Sequence, residues 1–498
     1  MRSSATRSRP RGRRSLSERS RRGRRLFIPL GIAVLALGAL GWFWFSTLVP
    51  STYSVLDMGY VDDGGGPAHA HGAAVSVAEL TGPQTGEPDV AVELEARKGK
   101  VHLASGEVVD GYTLDGSSPG PLIEATQGDL VQVTLVNVDV PDGITLHWHG
   151  VDVPNAEDGV AGVTQDAVGP GRSFVYRFVV PDAGTYWYHS HQISHEQVRD
   201  GLFGPLVVRP AGAPDADQDV VAPVHTYSGR RTLGGATGIT AVEAPAGAPV
   251  RVRLIDTDNG PLRAWVSGAP FRVAAVDGTD LDGPTDVTDK GVLVTAGGRM
   301  DLVVTAPARV DVGGGTALVV GPRGTRIAAE PQPDADVDLL TYGTPAPLPF
   351  DASHPDRRFD YDIGRRWWVV DGTPGFWWTI NGHLFPDVPM FHVAEGDVVV
   401  MTIRNTSGQV HPMHLHGHHA YVLSRDGEPA SGSPWLVDSL NVADGESYVV
   451  AFVADNPGIW VDHCHNLDHA ADGLITHLAY AGVTEPFQVG GPADNSPE

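Results

Sequence analysis

The sequence has 498 residues and a formal net charge of -25, and its length predicts more than one domain. The first 25 residues carry 11 arginines and one glutamate, so the remainder carries 24 basic and 59 acidic residues. A surface that acidic repels phosphate and excludes nucleic acid as a partner. The 61 glycines and 39 prolines, between short valine-rich runs, favour strands and turns over helices.

An apolar segment follows the basic residues 1–25. Residues 26–49 contain no charged side chain, and as a helix they would span roughly 36 Å, enough to cross a bilayer. The arginines predict that residues 1–25 stay in the cytoplasm and that the chain after Pro50 lies outside it. Residues 24–28 also resemble a twin-arginine export signal. We expect an uncleaved transmembrane anchor at 26–49, with a cleaved signal helix as the alternative.

Residues 50–89 are rich in glycine, proline and aspartate and are predicted to be a linker. His69 and His71 lie in this linker, where they either bind metal or are incidental to a flexible segment. A first strand-rich domain is predicted at 90–215. Within it, the run 130–136 is apolar at both parities, which indicates a strand buried on both faces.

Two further strand-rich domains follow. The second, at 216–350, contains one histidine, His225, and is therefore predicted to be a spacer without metal ligands. A proline-rich stretch marks its end, and the third domain is predicted at 351–490. The first and third domains share an order of strands and then two histidine pairs, which is a weak internal repeat.

Closely spaced histidines are the main chemical signal in the first and third domains. They are His147 and His149, His189 and His191, His411, His414 and His416, and His463 and His465 on either side of the only cysteine, Cys464. Alternate side chains of a strand share a face, so His463 and His465 point one way and Cys464 the other. One strand can then supply two metal sites. A mononuclear site would use His411, Cys464 and His469, and the other eight imidazoles would hold a multinuclear cluster.

This ligand set predicts copper. One thiolate with two imidazoles is the trigonal set of a blue copper centre, which a weak axial ligand usually completes. Leu474, ten residues after Cys464, stands where an axial methionine would be and cannot coordinate, so we expect a raised reduction potential. A structural zinc site would use four protein ligands around one ion, and a catalytic zinc site would use three ligands and a water. The number of paired histidines is larger than either site needs. The sequence therefore predicts a copper redox enzyme.

The same motifs resemble those of three-domain multicopper oxidases, the family of laccases, ferroxidases and copper efflux oxidases. The resemblance covers about 90–485. It implies an all-β fold of three cupredoxin-like Greek-key β-sandwich domains. It also implies four copper ions: a type 1 ion on His411, Cys464 and His469, a type 2 ion on His147 and His414, and two type 3 ions, one on His149, His189 and His465 and the other on His191, His416 and His463.

The resemblance further implies the reaction. A donor would lose one electron at the type 1 site, electrons would pass through Cys464 to His463 and His465, and dioxygen would be reduced to water at the other three ions. Asp158 matches an acid that relatives place beside the cluster to supply protons. Ala470 stands where many bacterial relatives carry a second acid, and Asp468 or Asp472 could replace it. Because one chain carries both halves of the cluster, we expect a monomer.

The donor is left open by the sequence. We expect an extracytoplasmic laccase-like oxidase of phenols or similar small molecules, and the alternative is a metallo-oxidase for Cu(I), Fe(II) or Mn(II). The chain has 6 methionines and no methionine-rich insertion to deliver Cu(I). A simple electron-transfer module would need only the Cys464 site and would leave eight histidines unexplained.

Overall fold

The computed structural model describes residues 16–67, 74–212 and 218–498, with side chains described from Leu30 onward. His69 and His71 lie outside the described residues. The described chain is mostly β, as expected. Its helices are Leu16–Phe45, Ser194–Gln197 and Leu467–Ala471, and its short 3-10 turns are Val55–Asp57, Val77–Glu79, Asn155–Glu157 and Gly491–Ala493.

The N-terminal helix, Leu16–Phe45, begins inside the basic segment and ends before residue 49, so its bounds differ from the predicted anchor. Its apolar side chains from Leu30 onward are exposed. In the described part of the chain, no helix combines the length and the apolar character that a membrane crossing requires. Of the described residues, those at 16–50 form one compact unit with Trp367–Gly375, and the others form a second.

Strands of the first predicted domain form two sheets. One is ordered Val108–Leu114, Val90–His102, Leu130–Asn137 and Arg172–Val179, and the other Ile123–Thr126, Phe203–Arg209, Gly184–His189 and His147–His149. The inner strand Leu130–Asn137 alternates half-buried and buried side chains, so one face is fully buried and the other only half-buried, less than the predicted burial of both faces. The short strand His147–His149 pairs with Gly184–His189, and this register sets His147 opposite His189.

Strands of the second predicted domain also form two sheets. One is ordered Arg230–Leu233, Gln218–Tyr227, Pro249–Asp256, Arg299–Thr305, Phe271–Val276 and Thr279–Asp280. The other is ordered Ile239–Glu243, Ala317–Gly321, Ala308–Asp311, Leu262–Ser267 and Gly291–Val294. His225 is buried and bonds Thr257, away from the predicted ligands.

Strands of the third predicted domain form two larger sheets. One is ordered Tyr60–Asp62, Pro389–Val393, Ile475–Tyr480, Ile459–Cys464, His411–Leu415 and Ser439–Val442. The other is ordered His383–Leu384, Thr373–Ile380, Arg357–Val370, Val398–Asn405, Ser447–Val453, Ala420–Arg425 and Glu428–Pro429, with Leu436–Val437 also pairing with Ala420–Arg425. Antiparallel pairing of His411–Leu415 with Ile459–Cys464 sets Met413 opposite Cys464 and His414 opposite His463.

The predicted linker at 50–89 is structured where it meets this last region. Tyr60–Asp62 adds a strand beside Pro389–Val393. Thr52–Tyr53 pairs with Val489–Gly490, and Val75–Ser76 pairs with Val483–Thr484. The linker composition could not indicate this, because each of these strands forms its backbone hydrogen bonds with a partner strand more than 300 residues away in the sequence.

Candidate metal centres

The predicted ligands converge on two buried places, which we call the thiolate site and the histidine cluster. The thiolate site consists of His411, Cys464 and His469. The histidine cluster consists of His147, His149, His189, His191, His414, His416, His463 and His465. All of these side chains are buried except His469, which is half-exposed.

In the thiolate site, three donor atoms point at one another. Cys464 Sγ lies 3.5 Å from His411 Nδ1 and 3.7 Å from His469 Nδ1, and the two nitrogens are 3.2 Å apart. Burial lowers the pKa of His411 to about 3 and that of His469 to about 4, so both rings are neutral at pH 7. Burial also raises the pKa of the Cys464 thiol. A soft cation would stabilise the thiolate and use both nitrogen lone pairs.

In the histidine cluster, the Nε2 atoms of His147 and His414 face each other, and neither of them carries a proton. His147 Nδ1 donates to the backbone oxygen of Asp158 at 3.0 Å, and His414 Nδ1 donates to the backbone oxygen of Asp438 at 2.8 Å. Each Nε2 therefore carries a lone pair, and the two Nε2 atoms are 3.4 Å apart. Two lone pairs this close repel each other unless a cation lies between them.

A similarly close approach occurs at His416 and His463, whose Nε2 atoms are 3.3 Å apart. His416 Nδ1 donates to Asp158 Oδ2 at 3.0 Å, which leaves the lone pair on Nε2. The ligand nitrogens of His191, His416 and His463 lie within 4.8 Å of one another. Burial lowers the pKa of all three rings well below the usual value.

His149, His189 and His465 complete the cluster. Their ring centroids are 4.9 Å apart between His149 and His465, 5.5 Å between His189 and His465, and 5.7 Å between His149 and His189. Among the described residues, His149 Nδ1, His189 Nε2 and both nitrogens of His465 have no hydrogen-bond partner. Buried polar atoms normally find partners, so these orphaned nitrogens fit bound metal.

The donor set as a whole fits copper. Neutral imidazoles with one thiolate match the preferences of Cu(I) and Cu(II), and the site contains no carboxylate-rich cage of the kind that calcium or magnesium uses. The strand Ile459–Cys464 explains how the two sites stay separate, since Cys464 faces one way and its histidine neighbours the other.

Comparisons with known proteins agree with this chemistry. Two profiles, each described as multicopper oxidase, match residues 95–213 and 360–481. The chain is 29% identical over 479 residues to the multicopper oxidase MmcO of Mycobacterium tuberculosis, which covers 82% of this chain and 90% of that protein. It is 29% identical over 434 residues to laccase-1 of Botryotinia fuckeliana, covering 72% and 76%. A multi-copper oxidase structure from Pseudomonas thermotolerans superposes with a TM-score of 0.65 at 27% identity, covering 79% and 100%.

The chain belongs to the multicopper oxidase family. It is therefore an oxidoreductase that takes electrons from a donor and uses dioxygen as acceptor, with copper ions of types 1, 2 and 3. The structure of Fet3p, described as a multicopper oxidase that functions in iron import, has the same fold, with a TM-score of 0.67 at 20% identity.

In this multicopper oxidase, Asp158 connects the two facing histidine pairs. Its Oδ1 accepts from His147 Nδ1 and its Oδ2 from His416 Nδ1, both at 3.0 Å. The side chain is buried, and burial raises its pKa even though His147 lowers it. One carboxylate thus sets the ring orientation of two predicted copper ligands from different regions of the chain.

A second carboxylate, Asp438, was not predicted from the sequence. Its Oδ1 accepts from His149 Nε2 at 3.2 Å, which leaves His149 Nδ1 as the nitrogen that carries the lone pair. Arg299 binds Asp438 with two parallel hydrogen bonds. Burial alone would raise the pKa of Asp438, but Arg299 and bonds from His149 and His419 bring it well below its usual value.

Arg299 lies in the region predicted to be a spacer, so that prediction was incomplete. Its neighbour Gly297 has φ +79°, and a Cβ there would lie 2.8 Å from His149 Cε1 and 2.7 Å from His465 Cδ2. The loop backbone therefore packs directly on two cluster rings. A lone arginine and a glycine carry no ligand signal, which is why the sequence did not reveal this role.

A third carboxylate, Glu498, also approaches the cluster. Its Oε1 lies 3.1 Å from His463 Nδ1 and 3.6 Å from His191 Nε2. Ser194 Oγ donates to its Oε2 at 2.6 Å, and Ile193 N–H donates to the carbonyl of Ser496 at 2.7 Å. Residues 496–498 therefore bind the loop that follows His191.

The acids that the sequence offered in place of Ala470 lie elsewhere. Asp468 and Asp472 are exposed, and the Asp468 carboxylate contacts Asn259 at 3.1 Å and Arg199 at 3.7 Å. Ala470 is buried. Leu474 is fully buried, and its carbonyl accepts a hydrogen bond from Cys464 N–H at 3.1 Å.

Proposed function

We propose that this multicopper oxidase is a laccase-like enzyme that oxidises phenols or similar small molecules at the thiolate site and reduces dioxygen at the histidine cluster. The observation that carries the proposal is the back-to-back arrangement on one strand, where Cys464 faces His411 and His469 while His463 faces His416. The strand backbone joins the two sites covalently.

Each site is assigned its ligands in this proposal. The thiolate site would hold type 1 copper on His411, Cys464 and His469, with Leu474 as the non-coordinating axial residue. His147 and His414 would hold type 2 copper. One type 3 ion would be held by His149, His189 and His465, and the other by His191, His416 and His463.

Copper, when bound, supplies one-electron oxidation of the donor and the transfer of four electrons to dioxygen, which with four protons becomes two waters. The protein contributes orientation and proton placement. Asp158 keeps protons on Nδ1 of His147 and His416, and this directs both Nε2 lone pairs into the cluster. The buried rings exclude bulk water from the centre.

The donor is proposed to approach at His469, because this ring is the half-exposed ligand of the thiolate site. A second candidate function is a metallo-oxidase for Cu(I), Fe(II) or Mn(II). It is favoured by the exposed carboxylates of Asp468 and Asp472, which flank His469 and are oxygen ligands suited to hard cations.

We also propose the larger organisation predicted from the sequence. Three cupredoxin-like Greek-key domains at 90–215, 216–350 and 351–490 are supported by the six main sheets, which fall within those ranges apart from the added strand Tyr60–Asp62. A monomer is supported by the presence of all eight cluster histidines in one chain. An extracytoplasmic location, with residues 26–49 as anchor or signal and 1–25 on the cytoplasmic side, is supported by the uncharged segment and its arginine-rich flank.

The test is oxygen uptake by the copper-loaded chain with phenols, Cu(I), Fe(II) and Mn(II) as donors, alongside copper analysis. We expect four copper ions per chain and uptake with phenols. One ion per chain, or a preference for zinc, would contradict the multinuclear assignment. Uptake with metal ions alone would select the second candidate.

A further inference from the structure

An arginine lies beside the half-exposed edge of the thiolate site. The Arg365 guanidinium lies 4.6 Å from the ring centroid of Trp378 and 5.6 Å from that of Phe376. Trp378 is buried and contacts both imidazoles of the site, with centroid separations of 4.7 Å to His411 and 4.5 Å to His469. The guanidinium and the ligand rings therefore contact the same indole.

Arg365 is exposed, and the described residues offer it no carboxylate within ion-pair distance. The nearest acids in sequence to His469 are Asp468, which contacts Arg199 and Asn259, and Asp472, and neither carboxylate lies within ion-pair distance of Arg365 among the described residues. The guanidinium is thus free to bind an incoming anion.

The neighbouring surface is aromatic. Phe376 is 61% exposed, so most of its ring faces solvent. Arg365 and Phe376 lie on the adjacent strands Arg357–Val370 and Thr373–Ile380, so the pairing of these strands holds the two side chains next to each other. An exposed ring beside an unpaired guanidinium offers stacking for an aromatic ring and a planar, two-pronged donor for a carboxylate.

We propose that Arg365, Phe376 and Trp378 form a donor-recognition subsite that selects phenols bearing a carboxylate. This rests on the proposed laccase-like function and specifies its substrate class. The donor ring lies against Phe376, its carboxylate binds the Arg365 guanidinium, and its hydroxyl end points towards His469. In a chain with a net charge of -25, anionic donors are repelled in general, so a local cation is needed to hold them.

The test compares two donors on the copper-loaded full chain, sinapate and its methyl ester, which share the phenol ring and differ in whether the carboxyl end is charged. We expect kcat/KM for sinapate to fall about fivefold relative to the ester in Arg365→Gln, the range of an exposed ion pair. In Arg365→Glu the preference should invert. A change in copper potential alters both donors alike, so the ratio isolates recognition.

Arg366→Gln is the matched control, because it removes the same charge from the opposite face of the same strand and should leave the ratio unchanged. A second readout needs no turnover: binding of 4-methoxycinnamate, which lacks a phenolic hydroxyl, should weaken about fivefold in Arg365→Gln and not in Arg366→Gln. An unchanged ratio and unchanged binding in Arg365→Glu would overturn the subsite. Failure of all phenols to support oxygen uptake, with 4-methoxycinnamate binding still dependent on Arg365, would instead overturn the laccase-like function.

Discussion

The Nε2 atoms of His147 and His414 face each other at 3.4 Å, although the two residues are 267 positions apart in the sequence. Each ring donates its Nδ1 proton to a backbone carbonyl, so both facing nitrogens carry lone pairs. This arrangement is unfavourable in a protein without a cation and favourable around a metal ion. It also means that the cluster forms only when distant parts of the chain pack together.

Cysteine and histidine substitutions should separate the two sites. Cys464→Ser removes the thiolate, so both the blue absorption and oxygen reduction should be lost. His465→Ala should keep the blue absorption and abolish oxygen reduction, because the thiolate site keeps all its ligands. Absorption spectra and oxygen uptake on copper-loaded protein measure both effects. Blue colour retained in Cys464→Ser would contradict the type 1 assignment.

Leu474→Met should lower the reduction potential of the type 1 copper, because a thioether adds an axial donor that stabilises the oxidised ion. Redox titration of the blue band measures the change. Leu478→Met is a suitable control, since this residue is buried in the same core and belongs to none of the proposed copper sites. An unchanged potential in Leu474→Met would mean that Leu474 is not axial.

Arg299→Met should destabilise the metal-free protein by about 3–5 kcal/mol, because it removes the guanidinium partner of the buried Asp438 carboxylate and leaves it only its histidine contacts. The exposed pair of Arg404 with Asp360 offers a contrast, and Arg404→Met should cost about 1 kcal/mol or less. Denaturant unfolding of the variants measures both. Equal losses of unfolding free energy in the two variants would show that the buried Arg299 pair stabilises the protein no more than the exposed pair does.

Glu498→Ala should weaken copper retention at the histidine cluster by about 10-fold to 100-fold, since the Glu498 side chain lies 3.1 Å from His463 Nδ1 and outer groups beside a ligand ring add to its metal affinity. Copper remaining after dialysis against a graded chelator series gives the measurement. Glu395→Ala changes an exposed glutamate and serves as the control. If both variants keep four copper ions equally well, the Glu498 contact does not orient His463.

Glu485 should make stability depend on pH. Burial raises the pKa of Glu485 to about 7, and Ser54 Oγ donates to it. Between roughly pH 4 and 7 the folded protein holds a proton that the unfolded chain has lost, so the free energy of unfolding falls as pH rises, by up to about 3 kcal/mol from this group. Glu485→Gln should remove that part of the slope. We would compare the Tm of metal-free wild type and variant from pH 4.5 to 8, and parallel curves would contradict the prediction.

The sequence alone determined the ligand chemistry. Strand alternation put Cys464 and His463 on opposite faces, and the residue types in the paired segments favoured copper over zinc. These features are local, since they depend on residue identity and on a backbone period of two. The mostly β class follows from the same local patterns.

Only the tertiary structure decided which groups surround those ligands. Asp438, Arg299 and Glu498 reach the cluster from three separate regions, and none belongs to a motif with a characteristic spacing. The pairing of the predicted linker with strands near the C-terminal end is equally non-local. Contacts between residues hundreds of positions apart depend on how whole sheets pack, and neither composition nor periodicity records that packing.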